Sequence, residues 1–204
     1  MLNDDFWDYF ETNGVPKLEV RKFLKDSNEV VNYERSVLKS GRYWQISKDE
    51  VRSIYSIIRH REPETVVETG MGPGVSTTSI LSAMGNKGRL VSIDPGLPYG
   101  KGDREVGFVI PSTLRSRLDH VKGTSSEKLG SVLESMKKLD VFFHDSDHTY
   151  QNVMFELKTV WPKVRRNPLI LVDNYDWSDA AADFAKEKGL KLRNLADDLA
   201  LLSK

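Results

Sequence analysis

Two constellations in the chain hold residue types that could do chemistry. The first is the run Glu68-Thr69-Gly70-Met71-Gly72-Pro73-Gly74-Val75-Ser76-Thr77, where three glycines follow an apolar, β-branched stretch and precede a helical pattern. Glycine lets a backbone turn sharply and approach a ligand without a Cβ in the way. The helix that follows offers unpaired N–H groups to an anion. Ser76 and Thr77 add hydroxyls in that first turn. The second constellation is split between His144-Asp145-Ser146-Asp147-His148 and Asp173-Asn174. Asp145, Asp173 and Asn174 offer two carboxylates and an amide oxygen, a donor set that suits a hard divalent cation such as Mg²⁺, which keeps several waters for exchange with substrate oxygens. Such an ion lowers a hydroxyl's pKa and orients it. His148 can accept a proton near neutral pH. Each group also has a purely structural reading: Asp145, Ser146 and Asp147 are good helix N-caps, and Asp173-Asn174 makes an Asx turn.

The elements that must position these residues alternate along the chain. TVVET, RLVSID, DVFFHD and LILVD are short apolar runs, each followed by polar or glycine-rich residues, with helices expected over 75–84, 126–137, 149–164 and 178–188. Another strand runs into Gly123, and 190–195 with 198–203 supply a final pair joined by a short turn. Alternating strands and helices predict an α/β fold, a doubly wound, seven-stranded, mostly parallel sheet with an antiparallel pair at one edge. Residues 1–60 read as a helical N-terminal segment that caps the mouth of the 61–204 domain, with Val20, Phe23 and Leu24, then Val51, Ile54, Ile57 and Ile58, at helical spacing. Ligands of such sheets sit at the carboxyl ends of the strands, so both constellations face one crevice. The Gly- and Pro-rich stretch 95–111 reads either as a lid or as a mobile connection.

Composition narrows the field. The chain has 204 residues, 39% hydrophobic and 29% charged, which is the profile of one ordinary globular domain. With 30 basic against 30 acidic residues there is no basic surplus for nucleic acid. The absence of cysteine removes disulfides, thiolate nucleophiles and zinc–cysteine sites. No apolar run approaches a membrane span, and the acidic, aromatic start lacks the features of a secretory signal, so cytoplasmic residence is the default expectation. A dinucleotide fingerprint fails on spacing, because Val75 and Thr77 stand where GxGxxG needs glycine.

ETGMGPG, with its acid two positions before the first glycine, resembles the first motif of the class I S-adenosylmethionine-dependent methyltransferases. FFHDSDHTY and LVDNYDW look like the cation-dependent O-methyltransferases of the catechol and caffeoyl-CoA type, and still more like the family 24 methyltransferases. The resemblance spans about residues 60–203. It implies a Rossmann-like fold and methyl transfer from S-adenosylmethionine to a small hydroxylated acceptor. Glu68, Gly70, Gly72, Gly74, Ser76, Thr77, Asp94, Ser125 and Asp145 would surround the cofactor. Glu68 suits its ammonium, Asp94 its ribose and Ser125 its adenine. Asp94 can equally open an Asp-Pro-Gly turn, and Ser125 or Ser126 can equally cap a helix. The metal ligands implied are Asp145, Asp173 and Asn174, with Asp145 and His148 catalytic. His148 replaces the lysine that the catechol and caffeoyl-CoA branch carries, so it is either the base or a group holding Asp145. RRNP stands before the fifth strand where these families usually have paired glycines.

His144 should point to the opposite face from Asp145. His60 and His120 lie at element ends, Trp161, Trp177 and Tyr150 are either pocket or packing residues, and KVRR at 163–166 reads as a solvated helix end. The rivals are an NAD(P)-dependent oxidoreductase and a non-catalytic cofactor-binding protein of the same fold. A nucleic-acid methyltransferase is disfavoured by HDSDH, which stands where a proline-rich element is usual. Phenols, sugars and antibiotic-like hydroxyls all stay open as acceptors. Related enzymes are often dimers, so a homodimer is an expectation.

Overall fold

A computed structural model describes residues 1–39, 43–98, 104–164 and 167–204. Three helices come first, α1 (Asp4–Thr12), α2 (Lys17–Leu38) and α3 (Lys48–Arg61). The alternating part follows as β1 (Thr65–Thr69), α4 (Val75–Ala83), β2 (Arg89–Asp94), β3 (Leu118–Lys122), α5 (Ser125–Glu134), β4 (Val141–His144), α6 (Tyr150–Val160), β5 (Ile170–Val172), α7 (Ala180–Lys188), β6 (Lys191–Ala196) and β7 (Leu199–Ser203). The strands form one seven-stranded sheet in the order β3-β2-β1-β4-β5-β7-β6. β7 is antiparallel to both of its neighbours, and the remaining pairs are parallel. From β1 the chain winds outward one way through β2 and β3, then returns to β4 on the other side. The crevice therefore opens where β1 meets β4, at the carboxyl ends of both strands.

Strand alternation sorts the core into two layers. Val66, Leu90, Val141, Phe143 and Leu171 pack with residues of α1 to α4. Val67, Ile93, Phe142, Ile170 and Val172 pack with residues of α5 to α7. Burying a large apolar side chain of this kind contributes about 1.5–3 kcal/mol. The N-terminal segment does more than approach the mouth. Ile54, Ile57 and Ile58 of α3 are fully buried and share the core of β1 and β2. Ser47 caps α3 in a reciprocal box with Glu50, and Arg59, His60 and Arg61 complement the dipole at its far end.

The sequence patterns overrun three helix ends. α6 stops at Val160 because Trp161–Lys163, with Pro162 inside it, continues as a 3-10 turn. α5 starts one residue earlier and ends sooner than expected, and α7 begins at Ala180. The stretch 95–111, expected either as a lid or as a mobile connection, lies partly outside the described residues, as do Arg165 and Arg166 of the KVRR cluster. What is described of its second half is anchored. Gly107 N and Val109 N donate to Gly72 O and Pro73 O, Val109 is fully buried, and Tyr33 Oη donates to Val109 O. No helix among the described residues is long and apolar enough to cross a membrane.

Candidate active site

The glycine run forms a tight turn because each of its glycines takes a positive φ: 84° at Gly70, 53° at Gly72 and 95° at Gly74. Gly70 is also the point where the β1 end touches the β4 end. A Cβ there would stand 1.8 Å from the carbonyl oxygen of Asp145. At Gly74 a Cβ would stand 2.5 Å from Ile110 Cγ1, so this glycine seats the 107–110 turn.

Glu68 differs from its expected role. It is fully buried, does not border the cavity, and accepts hydrogen bonds from Ser76 Oγ at 2.6 Å, Thr77 Oγ1 at 2.7 Å and Ser92 Oγ at 2.6 Å. Burial pushes its carboxyl up while the three hydroxyls pull it down, and the net direction is upward. Its place behind the turn corrects the expectation that it meets a ligand's ammonium directly: it ties β1, β2 and the start of α4 together. Thr77 and Gly74 likewise stand behind the cavity wall, whereas Gly70, Gly72 and Ser76 border it.

Asp94 does border the cavity. Its Oδ2 accepts from Met71 N at 2.9 Å and Gly72 N at 3.2 Å, and its Oδ1 accepts from Gly96 N at 2.7 Å, so the Asx-turn reading holds and the side chain also braces the glycine turn. The cap of α5 is neither Ser125 nor Ser126 but Thr124, in a reciprocal box with Glu127. T-x-x-E at 124–127 is the readable signature of that box. Ser125 is thereby left on the cavity wall, with its Oγ donating to Asn152 Oδ1 at 3.2 Å.

The acidic half gathers more groups than the sequence indicated. None of Asp145, Ser146 and Asp147 caps α6; Thr149 does, accepting from Asn152 N. Ligand atoms of Asp145, His148 and Asp173 lie within 4.8 Å of one another, and so do those of Glu50, Asp173 and Asp198. Glu50 arrives from α3 and Asp198 from the β6–β7 turn. Asn174 takes a left-handed φ of 49°, and its Nδ2 donates to Asp198 Oδ2 at 2.6 Å. Asp173 Oδ1 is buried without a hydrogen-bond partner. Burial and the charge of Asp198 push the Asp173 carboxyl up to about 7, and burial with the neighbouring Asp198 and Asp173 pushes Glu50 up to about 8. Burial and the Asp173 charge raise Asp145 well above the usual carboxylate range. Burial first, and then like charges brought together without a counter-charge, account for all three directions.

Behind this cluster stands Glu156 of α6. It accepts from Thr69 Oγ1 at 2.6 Å, Ser146 Oγ at 2.7 Å and Asn152 Nδ2 at 3.1 Å, and pairs with His144 Nδ1 at 2.7 Å. His144 is fully buried and supports the strand end carrying Asp145. His148 borders the cavity, its ring edge-on to His144 and to Trp177. Burial, then the charge of His144, lowers its imidazole to about 4, so it is neutral at physiological pH. Trp161 packs on Phe184, His60 packs on Tyr9 and Phe10, His120 Nε2 lies 3.3 Å from Asp94 O, and Tyr150 Oη donates to Asp183 Oδ2.

Both halves open into one cavity of about 1120 Å³, bordered at its outer side by residues of α2 and the 43–51 segment. The family described as a methyltransferase domain, family 24, matches residues 67–175, more than half of the chain and the part that carries both constellations. The chain belongs to this methyltransferase family. No curated protein matches this methyltransferase in sequence. Among solved structures it is similar to an O-methyltransferase from Bacillus cereus in complex with SAH, with TM-score 0.63 and 14% identity over 87% of this chain and 90% of that one. It is similar also to a methyltransferase from Geobacter sulfurreducens, with TM-score 0.63 and 17% identity over 86% and 89% of the two chains. A third is cofactor-bound Rv0187 from MTB, with TM-score 0.61 and 20% identity over 86% and 88%. The likeness is one of fold, and that fold is the Rossmann-like α/β sheet expected from the sequence.

Proposed function

We propose that this methyltransferase moves a methyl group from S-adenosylmethionine to a hydroxyl oxygen of a small acceptor, with a divalent cation, Mg²⁺ by its chemistry, held beside the cofactor. One observation carries the reading. Asp145, His148 and Asp173 converge within 4.8 Å in the same cavity that the Gly70–Gly72 turn borders. The residues fit a hard ion, because an orphaned, buried carboxylate oxygen on Asp173 sits among carboxyls whose mutual repulsion a cation would offset in place of bound protons.

In this reading Asp94 and Thr124–Ser126 would hold the cofactor's nucleoside end, and the first N–H groups of α4, which have no partner within the helix, would hold its carboxylate. Asp145, Asp173 and the Asn174 amide oxygen would hold the ion, which when bound supplies the Lewis acidity that makes a hydroxyl easier to ionise. His148 accepts the hydroxyl proton at Nε2, since Nδ1 is the buried ring nitrogen. Glu156, through His144, Ser146 and Asn152, keeps the 144–148 loop from shifting as that proton moves. Most of the rate comes from holding the reacting atoms in line, which can supply several kcal/mol.

Calorimetric titration of S-adenosylmethionine and S-adenosylhomocysteine tests the cofactor half: we expect saturable binding, and none at millimolar concentration would remove that half. Methyl transfer that survives both chelation and an Asp173→Ala change would remove the metal half alone.

A further inference from the structure

Helix α2 buries one stripe, Val20, Phe23, Ser27, Val30, Val31, Glu34 and Leu38, at the spacing of a core-facing helix. Glu34 breaks its apolar character. The residue is only 3% exposed, yet it borders the active-site cavity. Its Oε1 is buried without a hydrogen-bond partner, and none of the described ion pairs reaches it. Burial alone pushes the carboxyl up to about 9. A carboxyl with a partnerless oxygen at a core position costs stability whether it is ionised or holds its proton, and proteins keep such a group where a ligand uses it.

The surroundings indicate which ligand. On the same wall stand Val31, Leu38, Tyr43 and Ile46, with Trp44 at the rim and 85% exposed. The Tyr43 ring already has a guanidinium near its face, Arg104 Cζ at 5.9 Å from the centroid. Among the described residues the cavity is bordered by nine carboxyl side chains against Arg35, Lys48 and the N-terminal amine. One divalent ion leaves much of that surplus in place. A buried carboxyl, an available indole face and a negative field together select a cation over a neutral or acidic molecule.

We propose that this end of the cavity receives a protonated amine, so that the acceptor is a hydroxylated molecule with an amine at the end remote from the reacting oxygen, recognised by Glu34. This rests on the methyl-transfer reading for the words "acceptor" and "reacting oxygen"; the amine site itself can be tested without any turnover.

The test uses three probes of one shape and different charge, benzylamine, benzyl alcohol and benzoate. Each is titrated by calorimetry into the full chain in the presence of Mg²⁺ and S-adenosylhomocysteine. Benzylamine should bind at least about tenfold more tightly than benzyl alcohol, with benzoate weakest. In Glu34→Gln, which keeps the volume, that preference should fall to about twofold or less while benzyl alcohol affinity holds and the melting temperature at pH 6 does not fall. Equal affinities for amine and alcohol, no binding of any probe, or an amine preference that persists in Glu34→Gln would overturn the proposal. Failure of S-adenosylhomocysteine to bind in the same titrations would count against the methyl-transfer reading and leave the amine result standing by itself.

Discussion

The two halves of the cavity are built on opposite principles. On the glycine side every named polar group has a partner: Glu68 accepts three hydroxyls and Asp94 accepts three backbone N–H groups. On the acidic side Asp145, Asp173, Asp198 and Glu50 crowd together, and Asp173 Oδ1 has no partner at all. A satisfied network fixes a shape and needs nothing further, whereas an unsatisfied one stores repulsion until a counter-charge arrives. The first half is therefore a fully hydrogen-bonded cradle, and the second is the half that the proposed function gives to a cation. Gly70, whose missing Cβ lets the backbone of one half rest on that of the other, joins them.

Changing that joint should have the largest effect. Gly70→Ala places a methyl against the Asp145 carbonyl at a positive φ, and should cost about 3–5 kcal/mol in urea unfolding, with cofactor and ion affinity lost together. A variant with wild-type stability would show that the two halves are not coupled there.

Asp173→Ala should separate the halves instead. Metal-stimulated transfer should fall about 100-fold or more while calorimetric affinity for S-adenosylhomocysteine changes by less than about threefold. Equal losses in both would mean that the glycine side also depends on the acidic cluster.

The pH dependence of stability should differ with and without ion. The Asp173 and Glu50 carboxyls are raised from 3.8 and 4.5 to about 7 and about 8, so the folded state holds protons that the unfolded chain releases. The stability this gives is present in full below about pH 4 and is lost as pH rises through the folded values. Calorimetric melting of the ion-free protein should drop by about 5 °C between about pH 5 and about pH 8, and Mg²⁺ should remove most of that drop. What remains in Mg²⁺ belongs to Glu34 and Glu68, whose carboxyls are also raised, and Glu34→Gln should reduce it. A profile that rises with pH would contradict the assigned directions.

The smallest effect is expected at the cap of the cradle's third strand end. Thr124→Ala should cost about 1 kcal/mol in thermal unfolding and leave ion affinity unchanged. A change in ion affinity would break the separation of the halves.

Local pattern explains what could be read from the chain and what could not. The strands, the turn at Gly70–Gly74 and the strand-end residues Asp145, Asp173 and Asn174 were legible because a parallel sheet puts residues that follow each strand at one edge. The direction of Glu68 was not, since its burial depends on Ser92 lying opposite in the neighbouring strand's register. Glu50, Asp198 and Glu34 went unread for a related reason. They reach the site from α3, the β6–β7 turn and α2, and nothing near them in sequence says which end of the sheet those elements approach. The Ser47-to-Glu50 capping box was visible as S-x-x-E, but it announced a helix start and not a carboxyl beside Asp173.

The most direct test of the account is an anomalous difference map from crystals grown with Mn²⁺ and S-adenosylhomocysteine. The account predicts an ion coordinated by Asp145, Asp173 and Asn174, with the homocysteine sulfur in the same cavity. An ion seated between Glu50 and Asp198 and away from Asp145, or no anomalous density in the acidic half, would contradict it.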